Sequence, residues 1–216
     1  MTELSELITE LNDSGLTLDA GILAGGRSSR MGGKDKGLIA LDKGILISSS
    51  LDLLRPLAKD HEVMINCNRE FTRYSRYSSR ICADTYPEYP GPLAGLHALL
   101  EASDADLVFI MPCDTPFVNN ELVVQLARRA LDLVKQGLTL RPIALQCDEY
   151  KHPLHCCLPK DCLGPIVSSI KNGQHKLVRW FEENHADWVT VSNSSALTNI
   201  NTPEELSEAQ NSLLKT

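Results

Sequence analysis

The chain has 216 residues, with 28 acidic against 21 basic side chains and a formal net charge of −7 at pH 7. A chain of this length can bury a sizeable core as one domain, and its acidic balance argues against a general nucleic-acid-coating protein, which would be basic. It has neither an apolar run of membrane-spanning length nor a signal-peptide pattern, so we expect no membrane partner. We also expect a cytoplasmic monomer that does not bind nucleic acid.

The first predicted element is a short amphipathic helix. Its apolar side chains recur at helical spacing, at Leu4, Leu7, Ile8 and Leu11. Packing against the rest of the chain is its expected role, and contact with a membrane or a partner stays open as an alternative. We treat residues 1–15 as an N-terminal helical extension and residues 16–216 as a single domain.

A glycine-rich loop over residues 23–37 follows a first strand, which the alternation of Leu18, Ala20 and Ile22 predicts. Glycine lacks a Cβ, so such a loop can approach a ligand closely. Its four cationic side chains are Arg27, Arg30, Lys34 and Lys36. A backbone cradle with fixed positive charge suits the phosphates of a nucleotide, although neither the Walker nor the dinucleotide glycine spacing fits. A flexible surface loop is the alternative.

Strands and helices alternate along the rest of the chain. Helices are predicted over about 45–57, 92–100, 120–135, 163–170 and 176–183, with one more near the C-terminus. Strands are predicted over 62–67, 81–83, 106–111, 143–147, 154–158 and 188–191. This alternation predicts a three-layer α/β/α sandwich, Rossmann-like and with a mostly parallel sheet, whose site lies in the loops after the strands.

Asp114 follows the apolar run 106–111 and stands between Pro112 and Pro116, which stiffen the backbone. A carboxylate at the end of a buried strand can bind Mg²⁺, which prefers oxygen ligands and bridges protein and phosphate groups. The alternative is a cap for the helix that begins near Asn120, but Asp114 lies too early in the chain for that role.

Two further polar residues end predicted strands. Asn66 ends the strand over 62–67, and Asp84 follows the strand over 81–83. A glycine-containing turn then leads into the helix at Pro92, whose free N–H groups favour anions or nucleobase acceptors. The amide of Asn66 can donate to and accept from a purine edge. The residues alone leave open whether these side chains bind a ligand or only fill a polar loop.

Near the C-terminus, Thr202, Pro203 and Glu205 form a capping box, which accounts for those three residues structurally. Asn199 and Asn201 lie two apart on an extended segment, face the same side and remain unexplained by the cap.

The seven cysteines have no regular spacing and indicate a reduced compartment rather than a disulfide framework. His152, His155, Cys156 and Cys157 cluster in sequence, but they include no CxxC pair, and successive strand residues point to opposite faces. We therefore expect buried thiols there, with a zinc site as the alternative.

Taken together, these motifs resemble those of the molybdenum cofactor guanylyltransferases. The loop matches that family's LAGG, RMG and DK elements, and PCDTP at 112–116, YPGPLAG at 89–95 and NINTPEE at 199–205 match further motifs in the expected order. The resemblance implies a Mg²⁺-dependent transfer of GMP from GTP to molybdenum-bearing molybdopterin, which forms the guanine dinucleotide and releases pyrophosphate.

The resemblance also implies roles for individual residues. Catalytic roles fall to Arg30, Lys36 and Asp114, with Asp114 binding the metal. Nucleotide contacts fall to Leu23, Ala24, Gly25, Gly26, Lys36, Asn66, Asp84 and Asp114. The acceptor side is assigned to His152, Lys176, Asn199 and Asn201, and transient contact with molybdoenzymes or their chaperones is expected.

The chain departs from the family pattern on the acceptor side. Where relatives carry two adjacent arginines, it has His175 and Lys176, and lysine lacks the bidentate fork of arginine. Two alternative functions stay open: a cytidylyl- or sugar-phosphate nucleotidyltransferase of the same fold, and a non-catalytic nucleotide-binding regulator. Gly26 favours guanine, because relatives that use other nucleotides more often have alanine at that position.

Overall fold

A computed structural model of the chain describes residues 2–25, 35–41, 44–86, 88, 91–174 and 176–213. The strands formed by these residues are β1 (Leu18–Leu23), β2 (Ala40–Leu41), β3 (Gly44–Ile45), β4 (Met64–Asn66), β5 (Ile81–Cys82), β6 (Leu107–Pro112), β7 (Ile143–Cys147), β8 (Tyr150–Pro159) and β9 (Asp187–Thr190). The α-helices are α1 (Glu3–Asp13), α2 (Ser48–Leu54), α3 (Phe71–Tyr74), α4 (Pro92–Ala102), α5 (Asn120–Lys135), α6 (Leu163–Lys171), α7 (Leu177–Glu183) and α8 (Pro203–Leu213).

The main sheet has the strand order β5-β4-β1-β6-β8-β7-β9. β1 pairs in parallel with β4 and β6, β4 with β5, and β7 with β9, whereas β8 runs antiparallel to both β6 and β7. The short connection of Asp148 and Glu149 explains this reversal, because a two-residue turn can join only antiparallel neighbours. The predicted mostly parallel sheet is confirmed.

The sheet carries an apolar core on each face, and β6 shows why. Its residues are fully buried, and alternate side chains enter different cores: Leu107, Phe109 and Met111 in one, Val108 and Ile110 in the other. Helices α1, α2 and α5 contribute to the first core, and α4, α6 and α7 to the second. This arrangement confirms the predicted three-layer sandwich.

The region between β1 and β4 differs in detail from its prediction. A helix over 45–57 was expected, but the chain first forms the β2–β3 pair, and α2 begins only at Ser48. A 3₁₀ turn over Arg55–Leu57 follows α2, where Pro56 cannot continue an α-helical hydrogen-bond ladder. The polar stretch after β4, for which no helix was predicted, contains the single turn α3.

The predicted N-terminal helix is present as α1. Its buried face is formed by Leu4, Leu7 and Leu11, and it packs against α5. Ion pairs join its exposed side to α5, between Glu3 and Arg128 and between Glu10 and Lys135. Surface pairs of this kind add little to stability, so the leucines carry most of the packing energy. Among the helices that the described residues form, none is long and apolar enough to span a membrane.

A buried ion pair fixes the start of β1. Asp19 is fully buried and accepts hydrogen bonds from both terminal nitrogens of Arg80, at 2.7 and 2.6 Å, and from Ser103 Oγ at 2.7 Å. Burial by itself would raise the pKa of Asp19, but these hydrogen bonds outweigh it and lower the pKa. These bonds hold the first residues of β1 in place, and the candidate site lies at the opposite end of the same strand.

Candidate active site

The ends of four strands meet at one edge of the sheet. Leu23, the last residue of β1, is in register with Asn66 of β4 on one side and with Pro112 of β6 on the other, and Asn66 is in register with Cys82 of β5. The chain segments that follow these strands therefore emerge next to one another. Such an edge is the usual ligand-binding position of an open α/β sheet.

The glycine-rich loop entrance is bonded to both neighbouring strands. Leu23 O accepts a hydrogen bond from Cys113 N at 3.1 Å, and Ala24 N donates to Asn66 O at 2.8 Å. Two polar clusters thus flank the loop entrance: one after β6, around Asp114, and one after β4 and β5, around Asp84.

The cluster after β6 joins three segments that are far apart in sequence. Lys36 Nζ lies 2.6 Å from Asp114 Oδ2 and 2.8 Å from Asn201 Oδ1. A backbone hydrogen bond joins two of the same segments, since Ile200 N donates to Asp114 O at 2.9 Å. Asn201 is in turn fixed by the capping box, in which Glu205 accepts from the backbone of Asn201 and Thr202. A cation, a carboxylate and an amide therefore converge at this edge.

One carboxylate oxygen of Asp114 takes no part in this network. Its Oδ1 is buried and has no hydrogen-bond partner among the described residues. A buried carboxylate oxygen without a partner is costly, and such an atom suits a hard divalent cation. The helix-cap alternative for Asp114 is wrong, because the N-cap of α5 is Asn119. Within the described part of the chain, no group of three or more His, Cys, Asp or Glu residues could form a complete protein metal cage.

The second cluster holds Asp84 between two amides. Asn66 Nδ2 donates to Asp84 Oδ1 at 2.9 Å, and Asn68 Nδ2 donates to Oδ2 at 2.7 Å. Asn68 Oδ1 accepts from Asp84 N at 2.9 Å, which closes a two-way bond. The Asp84 carboxylate is thereby fixed at the mouth of the glycine-rich loop, where Asn68 Nδ2 also reaches Gly25 O at 3.4 Å.

Glycines allow the close approach in this second cluster. A Cβ on Gly95, in the first turns of α4, would lie 2.6 Å from Leu23 Cδ2 and 2.7 Å from Asn66 Oδ1. A Cβ on Gly25 would lie 2.9 Å from Asn68 Nδ2. Only glycine fits at these two positions without displacing the asparagines.

Asp35 anchors the far end of the loop. It is buried, accepts a hydrogen bond from the hydroxyl of Tyr74 on Oδ1 and accepts another from Arg69 Nε on Oδ2 at 3.1 Å. Burial raises the pKa of Tyr74, so its hydroxyl stays protonated and can donate. Because Lys36 is the next residue, this anchor determines where the Lys36 side chain begins.

The residue after Asp114 is anchored as well. Thr115 is fully buried, and its Oγ1 lies 3.1 Å from Nε2 of buried His155 on β8. Burial and the nearby His152 lower the pKa of His155 to about 3, so its imidazole is neutral around pH 7. Burial also lowers the pKa of His152, whose ring packs edge-on against that of His155 with the centroids 6.0 Å apart.

The remaining acceptor-side residues are less tightly placed. Lys176 is exposed at the start of α7, and its side chain makes no hydrogen bond or ion pair with the other described residues. Asn199 is also exposed, and only Asn201 of that pair reaches Lys36. Gly26 and Arg30, predicted for nucleotide binding and catalysis, lie outside the described residues.

Sequence reasoning missed several residues of the site. Asn68 lies in the bend after β4, two residues beyond Asn66, so the two-residue periodicity of a strand does not mark it. Tyr74 is a fully buried aromatic side chain in a polar stretch, and nothing in its local pattern marks it. His155 was grouped only with a possible zinc cluster, whereas its bond to Thr115 depends on the pairing of β8 with β6.

The cysteines of β8 behave as the sequence predicts. Cys156 and Cys157 are fully buried, and all seven cysteines are free. Burial raises the pKa of both thiols, which keeps them protonated. They pack as small apolar side chains in the two cores.

Comparison with known proteins agrees with this architecture. Residues 20–188 match the family model of the MobA-like NTP transferase domain. The chain is 35% identical to the molybdenum cofactor guanylyltransferase of Vibrio vulnificus over 188 residues, which cover 87% of this chain and 92% of that protein. The enzyme of the same name from Haemophilus influenzae is 36% identical over 170 residues, 78% of this chain and 84% of that protein.

Solved structures show the same fold. A molybdopterin-guanine dinucleotide biosynthesis protein A from Archaeoglobus fulgidus superposes with a TM-score of 0.73 at 21% identity, over 92% of this chain and 100% of that one. A 2-C-methyl-D-erythritol 4-phosphate cytidylyltransferase from Thermus thermophilus superposes with a TM-score of 0.64 at 14% identity, over 92% of this chain and 100% of that one.

The fold, the glycine-rich loop entrance and the matched domain define an enzyme of the nucleotidyltransferase class. The identity over most of both sequences narrows the assignment further. The chain belongs to the molybdenum cofactor guanylyltransferase family.

Proposed function

We propose that this enzyme transfers GMP from GTP to the terminal phosphate of molybdenum-bearing molybdopterin and releases pyrophosphate. The observation that carries the proposal is the convergence of Lys36, Asp114 and Asn201 at the sheet edge, beside a glycine-rich loop. Family membership supports guanosine and molybdopterin as the two halves of the product, because the curated relatives are named for that reaction.

The chemistry needs no protein nucleophile. An ionised oxygen of the acceptor phosphate attacks the α-phosphorus of GTP, the bond to the β-phosphate oxygen breaks, and pyrophosphate leaves with that electron pair. The protein contributes positioning and charge neutralisation, which are the main terms in transfer of phosphoryl groups.

The residues after β6 fit a divalent metal. Asp114 would hold Mg²⁺ through its unpartnered Oδ1, and nucleotide phosphates and water would complete the shell, as is usual for this ion. When bound there, Mg²⁺ would neutralise phosphate charge as it develops. Lys36 would turn its ammonium group from Asp114 to the leaving pyrophosphate, and Arg30 of the same loop would act with it.

The cluster around Asp84 would recognise the nucleoside. Asn66, Asn68 and Asp84 fix one another, so their remaining donor and acceptor positions are held in place before the ligand binds. Backbone groups of Leu23, Ala24, Gly25 and Gly26 would line the same path. On the acceptor side, His152, Lys176, Asn199 and Asn201 remain the candidates, and recipient molybdoenzymes or their chaperones would collect the product in the cytoplasm.

One assay tests this function. The protein is incubated with α-labelled GTP, Mg²⁺ and molybdenum-bearing molybdopterin, and the product is separated by chromatography. We expect a labelled guanine dinucleotide and pyrophosphate in equal amounts. A labelled product with CTP but not with GTP would replace the guanylyl assignment with the cytidylyl alternative. Binding of GTP without any product would favour the non-catalytic regulator.

A further inference from the structure

Thr115 and His155 form a buried polar pair next to Asp114 in the chain. Both residues are almost fully buried, with 0% and 2% of their surface exposed. A buried hydroxyl or imidazole without a partner is costly, and these two satisfy one another at 3.1 Å. The pair therefore fixes the position of each residue.

The pair lies where it can act on Asp114. Thr115 is the next residue in the chain, so fixing its side chain limits how the Asp114 backbone can turn. Its own carbonyl accepts from Val118 N at 3.4 Å, and Asp114 O accepts from Ile200 N at 2.9 Å. His155 comes from a different strand: Cys156 is in register with Ile110, so His155 stands one step nearer the end of β6.

We propose that His155 is a positioning residue, which holds the Asp114 carboxylate in its working orientation through its hydrogen bond to Thr115. The inference rests on the proposed role of Asp114 in metal binding and deepens it. Because the ring of His155 also packs against that of His152, the same side chain connects the metal loop to the proposed acceptor side. Removal of a group that hydrogen-bonds a metal ligand directly commonly changes metal affinity by about 10- to 100-fold, and His155, which acts through the neighbouring residue, should fall at the lower end of that range.

Two variants remove the bond from opposite sides, and two retain it. Thr115→Val and His155→Phe each delete one partner while keeping similar volume. Thr115→Ser keeps the hydroxyl, and His155→Gln places an amide where Nε2 lies. Thermal unfolding of each variant first establishes that the protein is folded.

The first readout needs neither metal nor nucleotide. Lys36 is held by Asp114 and Asn201, so its reaction with acetic anhydride, located by mass spectrometry, reports the position of Asp114. We expect severalfold faster labelling of Lys36 in Thr115→Val and His155→Phe, and the wild-type rate in Thr115→Ser and His155→Gln. Thr85→Val is the control, since it removes a Thr–His contact outside the Asp114 loop: the exposed Thr85 hydroxyl lies 2.9 Å from His97 Nδ1 and also donates to Glu101 at 3.2 Å.

The second readout is Mn²⁺ binding in the presence of GTP, measured by electron paramagnetic resonance. We expect the two deleting variants to bind Mn²⁺ about tenfold more weakly than wild type and the two retaining variants to match it. Unchanged Lys36 labelling in folded Thr115→Val and His155→Phe would overturn the positioning role. Absence of Mn²⁺ binding in the wild-type protein would instead count against the proposed function, so the two failures are distinguishable.

Discussion

Lys36 Nζ and Asp114 Oδ2 lie 2.6 Å apart although 78 residues separate them in the chain. Their side chains are only 15% and 18% exposed, so the pair is more shielded from water than an ordinary surface salt bridge. The cation and the carboxylate of this pair neutralise one another. In the proposed reaction, a metal would replace Lys36 as the partner of Asp114, and a triphosphate would replace Asp114 as the partner of Lys36.

Lys36→Met tests that exchange. Loss of a well-placed cation should lower turnover by about 10³-fold, because the charge on leaving pyrophosphate is no longer neutralised. The same change frees Asp114 from its partner, so nucleotide-free protein should bind Mn²⁺ more tightly than wild type in a direct titration. Tighter metal binding without a fall in turnover would show that Lys36 has no part in the reaction.

Gly95→Ala should damage nucleotide binding without unfolding α4. The added Cβ would approach Leu23 Cδ2 at 2.6 Å and Asn66 Oδ1 at 2.7 Å, so the Asn66 amide must shift. Alanine is the better helix former by about 1 kcal/mol, which offsets part of the strain. We expect weaker GTP binding by calorimetry. Gly164→Ala in α6 is the matched control, since nothing lies within 4 Å of its Cβ position; equal GTP affinity in both variants would contradict the account.

Tyr74→Phe should loosen the anchor of Lys36. It removes the hydroxyl that donates to buried Asp35, at a cost of about 1–3 kcal/mol in the free energy of unfolding. Turnover should fall more than GTP binding, because Lys36 follows Asp35 directly. Denaturant unfolding and steady-state kinetics measure the two effects. Tyr77→Phe changes an exposed tyrosine of the same segment and should be neutral in both.

The buried imidazole of His155 makes stability depend on pH. Its pKa is about 3 in the folded protein, against about 6.5 for an unfolded chain. Above pH 6.5 neither state binds the proton; below it only the unfolded state does, so the free energy of unfolding falls by up to about 1.4 kcal/mol per pH unit. His155→Gln should reduce this slope between pH 6.5 and 4.5. Parallel curves for the two proteins would rule out a buried neutral histidine.

The fold could be predicted because hydrophobic periodicity reports local structure. The run 106–111 indicated a doubly buried strand, and β6 occupies Leu107–Pro112. Strand direction was harder to predict from the sequence. β8 runs antiparallel to β7 because a two-residue turn joins them, and that turn can be recognised as a hairpin only when both strands are known to pair. The helical prediction over 45–47 was wrong, because Ile45 pairs in β3 and residues 46–47 form the turn that leads into α2.

Within the site, too, single residues could be predicted from local motifs but the contacts between them could not. Motifs indicated Lys36, Asp114 and Asn201 separately, but the bond between Lys36 and Asn201 spans 165 residues and depends on the complete sheet. Asn68, Tyr74 and His155 support their neighbours through tertiary hydrogen bonds that no local pattern encodes. The catalytic, nucleotide-binding and acceptor-side roles of all these residues, Arg30 and Gly26 included, stay predictions.

The most direct measurement is the single-turnover rate of GMP transfer by Asp114→Asn at saturating Mg²⁺. Asparagine keeps the shape of the side chain and removes the charge that would hold the metal. We expect a folded protein whose rate is lower than wild type by about 10³-fold. A wild-type rate from that variant would contradict the proposal that Asp114 and Lys36 act on one metal-bound triphosphate.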